Sequence, residues 1–213
     1  MEDKKFQKFS VPLGLLDYVN PILYTVTMVT IIKSTYPILG QPYNIIFLIG
    51  AVLSILFGLV IPTGKVLVGL AVIKFVMPVP LVFCVNFGIL LSGLMLLRFA
   101  LHLNGYILAA LIAAIVAVLT LIYFKTKKIN SVAVLTGAAG YLLLYTSLIT
   151  LSVQGGFAVP IVLYAAAILL FVMLCGIGIK ADLKNPKVHW VIETSNVVCQ
   201  LLVAIATVVL FSR

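Results

Sequence analysis

Long apolar runs, almost free of charge, make up most of this chain and decide its fold class. Only 9% of its 213 residues are charged and the mean hydropathy is +1.30, which excludes a water-soluble fold. A helix of about 20 apolar residues crosses the hydrocarbon core of a bilayer. Runs of this kind lie at 13–32, 43–62, 80–101, 106–124, 131–152, 157–179 and 190–211. The sequence therefore predicts an all-α fold, a polytopic membrane helix bundle with about seven transmembrane helices in one integral membrane domain over 1–213.

The stretch between the second and third runs does not fit a plain connection. As one helix, 65–101 would be about 55 Å long at 1.5 Å per residue, nearly twice the hydrocarbon thickness. Pro78 and Pro80 each lack a backbone donor, so we expect the break there. The segment near 66–79 is predicted to be a re-entrant or interfacial piece rather than an eighth span.

Basic residues indicate the orientation of the spans. With seven spans and a cytoplasmic N-terminus, three basic residues, Lys33, Arg98 and Arg213, face outward. The other eleven face the cytoplasm: Lys4, Lys5, Lys8, Lys65, Lys74, Lys125, Lys127, Lys128, Lys180, Lys184 and Lys187. This asymmetry follows the positive-inside rule and predicts a multi-pass, N-in/C-out protein of the cell membrane. It also accounts for the net charge of +9, so the lipid bilayer is an expected partner and nucleic acid is not.

Polar side chains within the spans are the candidate functional positions, because they are costly in hydrocarbon and usually face the bundle interior. In the last span, Glu193, Asn196 and Gln200 fall at i, i+3 and i+7, on one helix face. The first span repeats this spacing with Asp17, Asn20 and Tyr24. We predict that these two stripes bind a substrate or an ion.

Two further positions join this predicted site. Asn86 lies in the third span, and Lys74, in the proline-broken segment, is a candidate to neutralise Asp17 or Glu193. The alternative for Lys74 is that its amine extends to the cytoplasmic surface. For the other polar residues, the alternative is hydrogen bonding between helices, worth about 0.6 kcal/mol per bond.

A faint internal repeat divides the chain in two. Residues 22–25 read ILYT and residues 143–146 read LLYT, and 50–65 aligns with 165–180 without a gap. The pattern corresponds to three spans, a linker span and three further spans in parallel, as in some small transporters.

Signatures of catalysis and metal binding are absent from the sequence, so no cofactor is expected and an enzyme is disfavoured. There is no GxSxG, HExxH or P-loop motif, and Cys84, Cys175 and Cys199 have no metal-ligand spacing. The leading hypothesis is a small transporter or channel-like protein for a small molecule or ion, with a polar path between the first, third and last helices. The alternatives are an accessory subunit that packs against other membrane subunits, and an enzyme acting on lipid or isoprenoid substrates.

Overall fold

The computed structural model describes residues 10–73, 79–180 and 186–212, and every regular element in these ranges is an α-helix. The helices are α1 (Val11–Asp17), α2 (Val19–Leu39), α3 (Tyr43–Gly69), α4 (Val79–Leu101), α5 (Gly105–Thr126), α6 (Ile129–Gln154), α7 (Ala158–Lys180) and α8 (Pro186–Phe211). Together α1 and α2 form one span, so seven segments are long and apolar enough to cross a membrane. The predicted all-α bundle of about seven spans is confirmed.

The first span contains a short interruption and ends later than predicted. Pro21 has no N–H to donate to the Asp17 carbonyl four residues earlier, and the helix is interrupted at Tyr18 between them. The sequence predicts that this span ends at residue 32, just before the charge of Lys33. Instead α2 continues to Leu39, because a lysine near the end of a span can extend its amine toward the interface.

The second span also continues beyond its predicted end. Residues 66–69 form the last turn of α3, so the segment predicted to be re-entrant or interfacial near 66–79 does not begin where expected. Residues 70–73 form a turn after the helix, and 74–78 lie outside the described ranges. The helix passes through Pro62 and Lys65 because the charge of Lys65, as described below, is neutralised inside the bundle.

Six of the seven spans pack in a closed ring. The order of contacts is the α1–α2 span, α3, α4, α6, α7, α8 and back to the α1–α2 span. Helix α5 lies outside this ring against α6, and Leu108 is the only residue of α5 that is fully buried. The ring contains the first three and last three spans, and the peripheral α5 connects them, as the predicted repeat requires.

The two halves of the ring are arranged alike. In each half the second span contacts both the first and the third, and the third span of each half contacts the first span of the other half. Tyr24 and Tyr145, which the repeat aligns, are 5% and 1% exposed and lie in the same core. The order of the ring agrees with the internal repeat, but a closed ring of six spans in chain order has these contacts in any case, so the repeat stays a prediction.

One junction between the halves is closely packed through glycines. A Cβ atom added to Gly93 of α4 would lie 2.6 Å from the carbonyl oxygen of Gly140 in α6. On its other side, α4 meets α3 where a Cβ atom at Gly88 would lie 2.6 Å from the Gly50 carbonyl oxygen. Small residues of this kind allow backbones to approach closely in membranes. Helix α4 is thus held between α3 and α6.

Contacts at the ends of the helices agree with successive spans that run in opposite directions across the membrane. Gln154 Nε2 donates to the Ala100 carbonyl oxygen at 2.9 Å, and the Arg98 guanidinium lies 3.5 Å from the centre of the Tyr43 ring. These contacts bring together the connections after α2, α4 and α6 at one end of the bundle. The opposite end carries most of the described lysines, and the positive-inside rule assigns it to the cytoplasm.

This arrangement predicts the result of cysteine labelling from the two faces of the membrane. Gln41 and Lys128 have exposed side chains at opposite ends of the bundle. In a chain whose native cysteines are replaced by alanine, an impermeant maleimide added to intact cells should label Gln41→Cys. Lys128→Cys should react only after permeabilisation. Labelling of both positions from the same face would contradict the arrangement.

Candidate functional site

Three charged side chains from three helices meet inside the ring. Lys65 Nζ of α3 lies 2.6 Å from Asp17 Oδ2 of α1 and 2.8 Å from Glu193 Oε1 of α8. The three residues are only 7–8% exposed. A charge within a span costs about 2.5–3.5 kcal/mol, and more when it has no partner. Their mutual neutralisation is therefore what permits all three to lie within the bundle.

The cation of this cluster differs from the one that the sequence suggested. Lys74 was the candidate to neutralise Asp17 or Glu193, but Lys74 lies outside the described residues. Lys65, which the charge count had placed at the cytoplasmic surface, occupies this position. Sequence reasoning could have found it, because two acids near the cytoplasmic ends of neighbouring spans need a cation at the same depth.

The cluster contains unequal numbers of opposite charges and an unsatisfied acceptor. Two carboxylates face one ammonium group, which leaves one negative charge in excess when all three are ionised. Asn20 Nδ2 donates to Asp17 Oδ1 at 3.3 Å, whereas the buried Asn20 Oδ1 has no hydrogen-bond partner among the described residues. Burying an acceptor without a donor costs about 1–3 kcal/mol. This corner of the bundle therefore favours a ligand that brings positive charge or hydrogen-bond donors.

Two cavities adjoin the cluster. The first has a volume of about 140 Å³ and the second about 220 Å³. Both are bordered by Asp17, Asn20, Tyr141 and Gln200. The remaining polar or aromatic residues are Tyr24 and Ser54 in the first cavity and Tyr145, Phe171, Asn196 and Cys199 in the second. The two stripes predicted from the sequence thus face one shared region.

The cavities lie near the middle of the spans, and the cluster lies toward the lysine-rich end, which the positive-inside rule predicts to face the cytoplasm. Tyr24 is next to the midpoint of its 29-residue span. Asp17, seven residues earlier, is about 10 Å closer to the cytoplasm at 1.5 Å per residue. The offset of 121 residues in the predicted repeat aligns Asn20 with Tyr141 and Tyr24 with Tyr145. Ligand sites at the midplane, between repeats, are typical of transporters.

Hydrogen bonds between spans hold two further predicted residues, Tyr24 and Gln200, in position. The Tyr24 and Ser54 hydroxyls are 3.1 Å apart, and Gln200 Nε2 donates to the Tyr141 hydroxyl at 3.4 Å. Ser54 was not predicted, because a lone serine in an apolar run gives no distinctive signal. Both bonds connect different spans, so they position the walls of the cavities.

Asn86 lies apart from the other predicted residues. Its Nδ2 donates to the Ala133 carbonyl oxygen at 2.8 Å, and its amide group packs against Gly137 of α6. It borders neither cavity, and the third span contributes only apolar Val85 and Ile89. The polar region therefore lies between the first, second, fifth and last spans, rather than between the first, third and last.

The outer half of the ring is closed by closely packed, buried side chains. Five side chains on the outer side of the cavities are at most 1% exposed: Met28, Ile31, Phe47, Leu148 and Val203. Also on this side, the Tyr164 and Thr207 hydroxyls are hydrogen-bonded at 2.9 Å. In this conformation the cavities are separated from the outer surface by apolar packing.

Comparison of the chain with protein-family models, curated proteins and solved structures finds no match.

The charge balance of the cluster predicts an unequal response to substitution. Lys65→Met leaves two buried carboxylates without a cation and should destabilise the protein by about 3–5 kcal/mol. Asp17→Asn or Glu193→Gln leaves one complete ion pair and should cost less. Thermal unfolding in detergent measures these differences.

The triple variant Asp17→Asn, Lys65→Met, Glu193→Gln provides the control. It contains no unpaired charge, so it should recover much of the stability lost in Lys65→Met, because whole buried ion networks are replaceable at little cost. If Lys65→Met melts at the same temperature as the unmodified chain, the amine does not neutralise the two acids.

Proposed function

We propose that this protein is a small transporter of the cell membrane whose substrate occupies the two adjoining cavities at the middle of the ring. The observation that carries this proposal is the buried cluster of Asp17, Lys65 and Glu193 beside cavities lined by polar and aromatic side chains. A bundle that needed only stability would be served as well by apolar residues at these positions.

The cluster is also suited to closing the cytoplasmic side. Asp17 and Lys65 belong to the first half of the ring and Glu193 to the second, so the Lys65–Glu193 pair connects the halves. When this pair separates, Lys65 retains Asp17 in its own half. The amine is therefore never left without a counter-ion, which lowers the free energy of opening compared with an isolated pair.

The two junctions between the halves have different chemistry, which favours a rocking motion. The α4–α6 junction is packed through Gly93 and Gly140, whereas the junction of α8 with the first half contains the Lys65–Glu193 ion pair. A closely packed contact on one side and a separable polar contact on the other allow the halves to move as bodies about α4 and α6. Alternating access by such motion is common among repeat transporters.

Uptake by proteoliposomes tests the proposal. Radiolabelled choline, alanine, glucose and lactate represent a cation, a zwitterion, a neutral solute and an anion. At least one should enter faster than into protein-free liposomes, and Asp17→Asn and Glu193→Gln should each lower that uptake at least about tenfold with folding retained. Ser152→Ala, at a buried serine outside both cavities, should leave uptake unchanged.

Entry of none of the four solutes would contradict the transporter proposal. Equal loss of folding and uptake in the acid variants would assign the cluster to stability alone. A stable complex with another membrane protein after purification in a mild detergent, without uptake, would favour the accessory-subunit alternative.

The native Cys199 reports on closure at the cytoplasmic side. It is 3% exposed and lines the second cavity. In a Cys84→Ala, Cys175→Ala background, Glu193→Gln weakens the contact between the halves and should raise the rate at which methyl methanethiosulfonate labels Cys199 in inverted vesicles.

Asp17→Asn is the matched control for this labelling experiment. It also removes one carboxylate from the cluster but retains the Lys65–Glu193 pair, so the labelling rate should stay near that of the background chain. Equal rates in the two variants would show that this pair does not hold the halves together.

A further inference from the structure

Resting on the transport function proposed above, we infer that the cavities take a small organic cation, a quaternary ammonium compound or a protonated amine. The first argument for a cation is the charge of the cluster. Asp17 borders both cavities, and its cluster has two carboxylates for one ammonium group. When both carboxylates are ionised, a bound cation brings this region to neutrality, whereas a bound anion adds a second uncompensated charge within the hydrocarbon layer.

The second argument for a cation is a set of hydrogen-bond acceptors that lack their usual donors. Asn20 Oδ1 is buried and has no hydrogen-bond partner in the part of the chain that the structure describes. Pro62 lacks an N–H, so the Gly58 carbonyl four residues earlier has no helical donor, and both residues line the first cavity. Pro21 also lacks an N–H, so the Asp17 carbonyl four residues earlier has no helical donor either. An amine, or the polarised methyl groups of a quaternary ammonium ion, complements such a set of acceptors.

Aromatic rings are the third argument. Tyr141, Tyr145 and Phe171 line the second cavity together with Asp17. The centre of the Tyr141 ring is 5.6 Å from that of Tyr145 and 5.3 Å from that of Phe171, and the last two are 6.4 Å apart. The faces of aromatic rings attract cations, and clusters of rings recognise quaternary ammonium groups. A carboxylate beside three rings therefore matches both parts of such a ligand.

Cavity size limits the substrate to a small metabolite. Volumes of about 140 and 220 Å³ hold about five and seven waters at ~30 Å³ each. Typical sites for drug-sized ligands measure about 300–1,000 Å³. A compact cation fits either cavity, whereas a nucleotide or a lipid headgroup with its chains does not.

Binding of choline to the purified full chain in nanodiscs tests the inference. The control ligand is 3,3-dimethylbutan-1-ol, in which carbon replaces the charged nitrogen with nearly the same shape. Choline and tetramethylammonium should raise the melting temperature saturably, and the alcohol should bind at least about tenfold more weakly. Binding of the alcohol as tight as that of choline, or saturable binding of neither cation, would overturn the inference.

Variants identify the site of binding. Asp17→Asn removes the excess charge and keeps the Lys65–Glu193 pair, so it should weaken choline binding at least about tenfold. Phe171→Leu should weaken it roughly two- to thirty-fold through loss of the cation–π contact. Phe87→Leu, at a phenylalanine that borders neither cavity, should leave the affinity unchanged. Unchanged affinity in both Asp17→Asn and Phe171→Leu would place the bound cation elsewhere.

Comparison of binding with uptake separates this inference from the proposed function. If alanine, glucose or lactate enters proteoliposomes and choline neither enters nor binds, the chain is a transporter and the organic-cation inference is overturned. If choline binds with the selectivity stated above and none of the four solutes enters, the cation site stands and transport is overturned.

Discussion

The contact of Lys65 with Asp17 and Glu193 is the interaction on which the arrangement of the spans depends. Each of these charges would be costly alone at this depth in a bilayer, and together they are stable only while α1, α3 and α8 hold them within a few ångströms. The cluster therefore fixes the relative depth of three helices that are distant in sequence. It also places two carboxylates around one ammonium group at the border of the cavities.

The rest of the ring is held by contacts of a different kind. Apolar packing closes the outer half, and glycine-mediated backbone contact joins α4 to α3 and α6. Packing and interhelical hydrogen bonds replace the hydrophobic effect as the forces between helices in lipid. Among the described residues, the buried ion pairs lie where α8 meets the first half, and this is the junction that opens in the proposed rocking motion.

Much of this fold follows from the sequence, and the reasons for the exceptions are physical. Apolar length gives the seven spans directly, since the bilayer sets a fixed thickness. The extent of α3 was missed because a proline and a lysine normally mark the end of a span, and nothing local in the sequence shows that Lys65 meets two acids on other helices. The order of the spans around the ring could not be predicted either, because it depends on contacts between segments that are distant in sequence.

The residues of the site, too, were predicted from the sequence only in part. Periodicity placed Asp17, Asn20 and Tyr24 on one helix face and Glu193, Asn196 and Gln200 on another. Five of these six border the cavities, while Glu193 borders neither and is connected to Asp17 through Lys65. Periodicity cannot show which polar residue meets a neighbouring backbone instead, as Asn86 does. Nor does it mark aromatic residues such as Phe171, whose role depends on the rings beside it.

The most direct test of this account is an experimental structure of the full chain in lipid nanodiscs at a resolution that shows side chains. The account predicts the Lys65 amine within 4 Å of carboxylate oxygens of both Asp17 and Glu193, beside a cavity bordered by Asn20 and Tyr141. A Lys65 amine directed to the cytoplasmic surface, away from both acids, would contradict it.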